Sequence, residues 1–388
     1  MDRMNDTLID VPRGLTNVVA ASTALGDVRG QEGFYHYRQY SAIDLARERT
    51  FEDAWYLLLF GDLPSAQELT AFRARIAEAR RLPEPVAQLL PAIARLTAHD
   101  QLAGLRMALA AVAAADGMRP VYDEDEDARL RDAIRVAAVT PVLLASLHAY
   151  AEGRTPPEPR DDLGHVAGYL RLITGRTPDA AHERALSAYL TAAIDHGFNA
   201  STFTARVIAS TGADVAAAVD GALGALSGPL HGGAPSRALD TLDAIGTPDR
   251  IDAWITETVR SGGRVMGFGH AVYRTEDPRS VLLREVAQGF GGERVDFAVR
   301  VEVRVQQLLE ELKPGRGLHT NVEFYAGVVM ELCGIPRELF TPTFAVARVV
   351  GWTAHILEQA ADGKILRPSS RYVGPPAPEP LPARPIAA

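Results

Sequence analysis

The sequence is short of the features that mark secreted, membrane-spanning and metal–sulfur proteins. Its 388 residues include one cysteine, Cys333, so neither an intrachain disulfide nor a cysteine metal cluster can form. The first residues lack the basic and apolar segments of a secretory signal peptide. The longest uncharged run, 136–151, is shorter than the roughly 20 residues of a membrane span. We therefore expect a cytoplasmic protein without a membrane partner, in which Cys333 is a small buried apolar residue.

Lysine is scarce, and acidic residues outnumber basic ones. Lys313 and Lys364 are the only lysines, and the formal net charge is −9. A chain this acidic is a poor candidate for nonspecific nucleic-acid binding, so we expect no nucleic-acid partner. A site for an anionic metabolite would need a local cluster of arginines, whose guanidinium groups bind carboxylates in a bidentate manner.

Strand-like alternation and metal-ligand spacings are also rare. The best strand candidate is "GFYHYRQY" (33–40), and the sequence has no HExxH motif and no Walker or GxGxxG loop in a βαβ context. Helical periodicity fills most of the chain, which predicts an all-α fold without a metal site. Ser65 and Glu68 form a predicted capping box. Segments 101–115 and 129–152 are so rich in alanine and leucine that we expect helices buried nearly all round. Further helices are predicted at 178–196, 201–211, 213–226, 235–245, 249–261, 278–290, 294–312, 322–333 and 343–361.

Proline and acidic residues mark the segments that interrupt this helical pattern. The stretch 152–164 is a proline-rich surface connection, and 374–388 consists largely of proline and alanine, which predicts a mobile tail. The acidic run 123–127 is best explained as the solvated start of a helix, where carboxylates interact favourably with the dipole. A metal site is the weaker alternative for this run.

Two histidines lie in similar glycine-rich turns, each shortly before a predicted helix. His231 stands in "GPLHGGAP" and His270 in "MGFGHAVYRTEDPRS". Glycines permit positive φ angles or the close approach of a ligand. The positive end of a helix favours a neutral imidazole, which can donate a hydrogen bond without carrying charge. A solvated or structurally bonded histidine is the more common finding in a single turn. Because the pattern occurs twice, the catalytic and structural interpretations have equal weight at this point.

Glu323 and three arginines are further candidates, for which the residues alone leave two interpretations open. Glu323 follows the helix cap Thr320–Asn321, where an acid can simply stabilise the helix dipole. Arg348 lies in the apolar stretch "TFAVARVVGW" and needs an anionic partner, either an internal carboxylate or a ligand. Arg279 and Arg367 would each pass as surface residues if taken alone.

Five stretches taken together resemble the citrate synthase family in order and spacing. They are "DHGFNASTFTARVIAST" (195–211), "SGPLHGGAPSRAL" (227–239), "VMGFGHAVYRTEDPRS" (265–280), "TNVEFYAGVVMELCGIP" (320–336) and the segment 344–375 with "KILRPSSRYVGP". The segment 35–69 also looks like the N-terminal region of that family. The resemblance covers nearly the whole chain before the proline-rich tail, and the length resembles the short bacterial form.

The resemblance implies a mainly helical, two-domain homodimer. By alignment to the motifs, 1–230 and 329–388 form a large domain that includes the tail 376–388, and 231–328 form a small domain that closes over the active site. The family condenses acetyl-CoA with oxaloacetate and hydrolyses citryl-CoA to citrate and CoA, a reaction of the tricarboxylic acid cycle. The resemblance implies no metal and no prosthetic group.

Catalytic roles carry over from the family one residue at a time. Glu323 matches the carboxylate base that takes a proton from the thioester methyl group. His231 matches the neutral histidine that donates to the enol oxygen, and His270 matches the histidine that polarises the oxaloacetate carbonyl. A weak carbon acid needs such a donor, because a base alone cannot remove its proton.

Binding roles carry over in the same way. His196, Arg279 and Arg348 match oxaloacetate contacts, and Arg367 matches an arginine contributed across the dimer interface. The resemblance gives weaker candidates for CoA binding, which are Arg274, Arg316, Val265 and Gly267.

Glu323 departs from the family, whose usual base is aspartate. One extra methylene moves the carboxylate by about 1 Å, a shift that can lower a rate by orders of magnitude. Glutamate is still a carboxylate base, and the chain resembles a short-form branch of the family that also has glutamate at this position.

Two alternative functions stay open: a 2-methylcitrate synthase that uses propionyl-CoA, and a weakly active paralogue that only binds. One methylene gives only about 1–3 kcal/mol of discrimination, so the motifs do not decide between the thioesters.

Overall fold

The computed structural model describes residues 8–229, 231, 234–270, 272–378 and 381, and helices make up most of them. Within these ranges sixteen α helices follow one another: α1 Ala42–Glu48, α2 Phe51–Phe60, α3 Ala66–Ala79, α4 Glu84–Leu96, α5 Gln101–Asp116, α6 Glu126–Ala151, α7 His165–Thr174, α8 Ala180–Ala193, α9 Ala200–Ala209, α10 Val215–Leu226, α11 Ala234–Ile245, α12 Ile251–Arg260, α13 Pro278–Phe290, α14 Glu293–Leu312, α15 Val322–Leu332 and α16 Phe340–Asp362. The prediction of a helical fold is confirmed. Most of the predicted proline-rich tail lies outside the described residues.

One small antiparallel sheet accompanies the helices. It has the order β1-β2-β3, with bounds β1 Gly26–Arg29, β2 Phe34–Tyr37 and β3 Tyr40–Ser41. The predicted strand at 33–40 corresponds to β2 and the start of β3, whereas β1 was not predicted. In β1 the side chains are only intermediate or exposed, so the hydrophobic alternation that identifies a strand is weak there.

Side-chain caps define where many of the helices begin. The predicted capping box at α3 is present, because Glu68 N–H donates to Ser65 Oγ and Ser65 N–H donates to the Glu68 carboxylate at 2.8 Å. Asp277 and Asn321 cap α13 and α15. Caps of this kind stabilise a helix by about 1 kcal/mol each. The nine windows predicted from 178 to 361 match α8 to α16, with ends that differ by at most three residues.

The two helices predicted to be buried nearly all round differ from each other. In α6 every residue from Val136 to Ala149 is buried. This helix is long and apolar enough to cross a membrane by length and composition, but 89% of its apolar window is buried inside the protein. The prediction is wrong for α5, which exposes Arg106, Met107 and Ala110 on one face. Alanine adds so little apolar area that a run of alanines does not decide which faces of a helix are covered.

The sheet supports the chain segment that follows α8. Tyr35 Oη donates to the carbonyl of Ala192 and Tyr37 Oη to that of Thr191, each at 2.9 Å. Asp195 N–H donates to Tyr37 Oη at 3.2 Å. These buried bonds fix the backbone immediately before His196.

Four helices, α8, α13, α15 and α16, pack together. α8 packs against α13, α15 and α16, and α13 packs against α15. Cys333, which ends α15, is 5% exposed, and burial raises the pKa of its thiol to about 12. The expectation that Cys333 is a small buried residue is confirmed.

Candidate active site

A cavity of about 500 Å³ opens where these four helices meet. Its wall contains the following predicted site residues: His196, His231, His270, Arg279, Glu323 and Arg348. They come from α13, α15 and α16 and from the segments that follow α8 and precede α11 and α13. The geometry of each side chain shows what the cavity can bind.

His270 is oriented as a hydrogen-bond donor. Its Nδ1 accepts from the N–H groups of Val272 and Tyr273, both at 3.0 Å. A neutral imidazole that accepts at Nδ1 carries its proton on Nε2. Burial and the adjacent charge of Arg279 lower the pKa of His270 to about 4, so the ring is neutral at neutral pH. Nε2 lies 3.2 Å from Arg279 Nη2. Because both nitrogens are then hydrogen-bond donors, an acceptor oxygen of a ligand would satisfy them.

Arg279 is fixed by a buried bidentate ion pair. Its Nε and Nη2 donate to Asp277 Oδ1 and Oδ2 at 2.9 and 2.8 Å. Burial alone would lower the pKa of Arg279, but Asp277 raises it above its ordinary value. Asp277 also accepts from the N–H of Val322 at 3.1 Å, so one carboxylate joins the starts of α13 and α15. The remaining guanidinium donors are left for a ligand.

Arg348 is a buried cation that forms no ion pair with a carboxylate of the described residues. It is 2% exposed, its Nε donates to the carbonyl of Ala193 at 2.9 Å, and its guanidinium lies 4.5 Å from the centroid of the Phe344 ring. The nearby Asp195 pairs with His355 at 3.3 Å, and within the described ranges no carboxylate forms an ion pair with Arg348. An internal salt bridge is therefore excluded for these residues, which favours an anionic ligand.

His196 forms the third side of the same region. Its Nε2 lies 2.9 Å from Tyr273 Oη, and its ring packs edge-on against Tyr35 and His270. Burial, followed by the charges of Arg279 and Arg348, lowers the pKa of His196 well below its ordinary value. The cavity therefore holds another neutral imidazole next to the two guanidinium groups.

His231 is coupled to the cap of α9. Its Nε2 lies 2.8 Å from Ser201 Oγ, which is 2.7 Å from Asn199 Oδ1. Asn199 Oδ1 also accepts from the N–H of Thr202 at 3.0 Å. The single hydroxyl proton of Ser201 can be directed to Asn199 or to His231, and that choice sets the tautomer of the imidazole. Burial and the charge of Arg348 lower the pKa of His231, so the ring is neutral.

Glu323 enters the cavity from the first turn of α15. Asn321 Oδ1 accepts from the Glu323 N–H at 3.1 Å, and Asn321 Nδ2 donates to the carbonyl of Gly269 at 3.0 Å. This amide ties the turn of His270 to the helix of Glu323. No hydrogen bond to the Glu323 carboxylate is found among the described residues. Burial raises its pKa to about 7, which suits a general base at neutral pH.

Five sequence-predicted residues lie outside the cavity. Val265 is buried in the core, and Gly267 packs against Phe324. Arg274 and Arg316 are exposed. Arg367 is also exposed and lines a separate groove of about 1210 Å³ between the first and last segments of the described chain. Within its own chain it therefore contributes nothing to the cavity.

The structure also adds residues that sequence reasoning missed. Asp277, Tyr273, Ser201 and Tyr189 all contact or line the site. An Asp-Pro pair at a helix start is a signal for a cap, and it could have identified Asp277. Among the described residues one group of histidine and carboxylate side chains is close enough to share a metal ion, namely His148, Glu152 and Glu338, and it lies outside the cavity.

The cavity in this largely helical fold combines two buried guanidinium groups, neutral imidazoles and a carboxylate. Comparisons with known proteins identify the family in which this arrangement occurs. The sequence model of the family "Citrate synthase, C-terminal domain" matches residues 14–369. A citrate synthase from Synechocystis is 36% identical over 365 residues, which are 93% of this chain and 90% of that protein. A 2-methylcitrate synthase from Shewanella oneidensis is 35% identical over 367 residues, with 93% and 94% covered.

Solved structures lead to the same family. The crystal structure of citrate synthase from Thermotoga maritima has a TM-score of 0.82 at 36% identity, covering 95% of this chain and 98% of that one. Citrate synthase from Thermoplasma acidophilum, solved as a ternary complex with carboxymethyl coenzyme A and oxaloacetate, has a TM-score of 0.87 at 27% identity, covering 96% and 98%. The chain belongs to the citrate synthase family and is a transferase.

Proposed function

We propose that the cavity condenses oxaloacetate with acetyl-CoA and hydrolyses the resulting citryl-CoA to citrate and CoA. The observation that carries this proposal is Arg348, which is buried without a carboxylate partner in the described ranges and lines the same cavity as Arg279 and Glu323. A dicarboxylate would compensate both guanidinium groups. The Thermoplasma relative, solved with oxaloacetate and a CoA analogue, supports these two substrates.

Oxaloacetate binds first in the proposed mechanism. Arg279 and Arg348 each hold one of its carboxylates, and His196 contacts the bound molecule. His270 donates from Nε2 to the ketone oxygen, because its Nδ1 is already occupied by two backbone N–H groups. This donor polarises the carbonyl carbon for attack.

Glu323 then removes a proton from the methyl group of acetyl-CoA. The developing enol oxygen accepts a hydrogen bond from His231, whose neutral ring donates from Nδ1 when Ser201 turns its hydroxyl proton toward Nε2. The enol carbon attacks the polarised ketone, and His270 stabilises the new alkoxide. Water then cleaves the thioester, which releases CoA and leaves the carboxylate of citrate. These steps use proton transfer and hydrogen bonding, without a metal or prosthetic group.

Closure and dimerisation complete the proposal. A small domain, 231–328, closes on a large domain, 1–230 and 329–388, although the boundary at 328 falls within the continuous helix α15. Closure excludes water from the enol intermediate.

Arg367 reaches the active site of the partner subunit in a homodimer, which agrees with its exposure in the groove. Arg274 and Arg316 bind CoA phosphates, with Val265 and Gly267 near the adenine. We place the enzyme in the cytoplasm, in the tricarboxylic acid cycle.

The experiment that tests this function is CoA release from acetyl-CoA and from propionyl-CoA, each with and without oxaloacetate. We expect oxaloacetate-dependent release that is faster with acetyl-CoA and that falls by orders of magnitude in Glu323→Ala. Faster release from propionyl-CoA would reassign the enzyme to 2-methylcitrate synthesis, the activity of the Shewanella relative. Absence of release with intact oxaloacetate binding would show that the protein only binds.

A further inference from the structure

A buried tyrosine hydroxyl in the cavity wall has no hydrogen-bond partner among the described residues. Tyr189, on α8, is 1% exposed and lines the cavity. Its Oη finds no hydrogen-bond partner among the described residues, and it is the one such buried polar atom in the described wall of this cavity. A buried hydroxyl that makes no hydrogen bond destabilises the fold, so its presence needs an explanation.

Three charged side chains influence this hydroxyl electrostatically. Arg348 Nε donates to the carbonyl of Ala193, which lies one helical turn beyond Tyr189 on the same face of α8. Among charged groups, Arg348 acts most strongly on the phenol, followed by Glu323 and Arg279. These three residues lie on α16, α15 and α13, the helices that pack against α8. Tyr189 therefore lines the proposed substrate site together with Arg348, which has the strongest electrostatic influence on its phenol among the charged groups.

The chemistry of the phenol determines what it can do there. Burial raises the pKa of Tyr189 above its ordinary value, so the hydroxyl keeps its proton and offers a donor. Arg348 is itself buried and lacks a carboxylate partner in the described ranges. A substrate carboxylate that neutralises Arg348 would bring a negative oxygen into the cavity that Tyr189 and Arg348 both line. Hydrogen bonds to such charged oxygens are the stronger ones.

Building on the proposed function, we propose that Tyr189 Oη–H donates a hydrogen bond to the oxaloacetate carboxylate that Arg348 binds. Tyr189 is thus a substrate-binding residue that helps the site to select a dicarboxylate. Without substrate this hydroxyl has no acceptor among the described residues, and binding of the substrate supplies one. A site with a buried donor discriminates strongly against molecules that cannot satisfy it.

The test compares Tyr189→Phe with a matched control, Tyr169→Phe. Tyr169 is equally buried on the neighbouring helix α7, but its hydroxyl already bonds Thr343 Oγ1 at 2.8 Å, and it does not line the cavity. The measurements are the Kd of oxaloacetate by calorimetry in the absence of acetyl-CoA, and the Tm of each free protein. We expect Tyr189→Phe to raise this Kd roughly 10- to 100-fold, the usual loss for a hydrogen bond to a charged group. Its Tm should stay equal or rise, because the unsatisfied hydroxyl is gone.

The control should show the opposite pattern. Tyr169→Phe should lower the Tm and leave the Kd within about twofold of wild type. An unchanged Kd in Tyr189→Phe would overturn the proposal. An unchanged Kd with a shifted pH profile of kcat would also overturn it, and would assign the hydroxyl to Glu323. If wild type binds no oxaloacetate, the proposed function fails as well, and that result is distinct from the others.

Discussion

At the scale of single residues, burial determines the protonation of Glu323 near neutral pH. Its pKa is raised to about 7, so only part of the population is ionised at neutral pH. In the proposed mechanism Glu323 must be deprotonated to act as the base, and kcat/KM should therefore rise with pH to a plateau, with an inflection near 7. His270, with a pKa of about 4, stays neutral throughout this range. Steady-state rates between about pH 5.5 and 9 measure the profile.

The control for this profile is Glu323→Gln, which keeps the size of the side chain and removes the titration. It should lower kcat by about a hundredfold or more and abolish the inflection. Glu323→Asp should keep an inflection, because it keeps a carboxylate in the same buried turn. An inflection near 7 that persists in the glutamine variant would assign the titration to another group.

A second residue-scale prediction concerns Asp277, which compensates the charge of Arg279. Asp277→Asn would leave a buried guanidinium without an anion, and the free energy of unfolding should fall by about 3–5 kcal/mol. The matched control is Asp252→Asn, because Asp252 makes a similar bidentate pair with Arg304 at 2.7 Å but is 58% exposed, against 1% for Asp277. Unfolding in guanidinium chloride measures both variants, and the loss of unfolding free energy should be much smaller for the exposed pair. Equal losses would contradict the role assigned to burial.

Some of these site residues could be predicted from the sequence and others could not, because only some of them have a local sequence signal. His231, His270 and Glu323 stand beside glycines or helix caps, which are local signals, and the family resemblance gave them roles. Tyr189 has no local signal, because the lack of a partner for its hydroxyl among the described residues depends on how α13, α15 and α16 pack against α8. The partner of Arg348 was likewise undecided, since only tertiary structure shows that no carboxylate of the described residues reaches it.

At the scale of elements, the loop before α13 and the start of α15 form one unit. An isolated bridge joins Phe268 to Thr320, and the Asn321 N–H donates to the carbonyl of Gly267 at 2.9 Å. Gly267 has a φ of +88°, and a Cβ there would lie 2.9 Å from the Phe324 ring. This contact explains why glycine is needed at a turn that positions both His270 and Glu323.

Gly267→Ala should therefore combine backbone strain with a steric clash. The control is Gly262→Ala, which has a similar φ of +81° but no atom within 4 Å of the added Cβ. The control should lose about 1–2 kcal/mol of stability from strain alone, with little change in kcat/KM. Gly267→Ala should lose more stability and lower kcat/KM at least about tenfold, because the turn moves relative to Glu323. Similar activity in both variants would show that the turn adapts without moving the site.

Helix positions were predictable from sequence where caps and periodicity agree, as at α3 and α13. Exposure was less predictable, because the alanine-rich α5 has no strongly apolar face to reveal which side is buried. The short strand β1 lacks a buried face and pairs with β2 only in the folded chain. These misses share a cause, which is that the decisive contacts are between elements and not within them.

At the scale of the whole molecule, the charge of the cavity wall is opposite in sign to the net charge of the protein. The net charge is −9, yet the described wall of the cavity contains Arg279 and Arg348, with Glu323 as its acidic residue. An acidic protein repels free dicarboxylates at long range, so binding depends on short-range contacts inside the cavity. This arrangement makes the proposed homodimer important, because Arg367 would add a further cation from the partner subunit.

Mixed dimers test whether Arg367 acts across the interface. Arg367→Ala and Glu323→Ala should each be nearly inactive as homodimers. In a mixed dimer, the site that keeps Glu323 receives an intact Arg367 from the other subunit, whereas the second site lacks both. Co-expression should therefore restore about a quarter of the wild-type sites, if subunits pair at random. CoA release by the purified mixture, with sedimentation to confirm dimers, measures this recovery. If Arg367 served its own chain, each chain of the mixed dimer would carry one defect at its own site, and no activity would return.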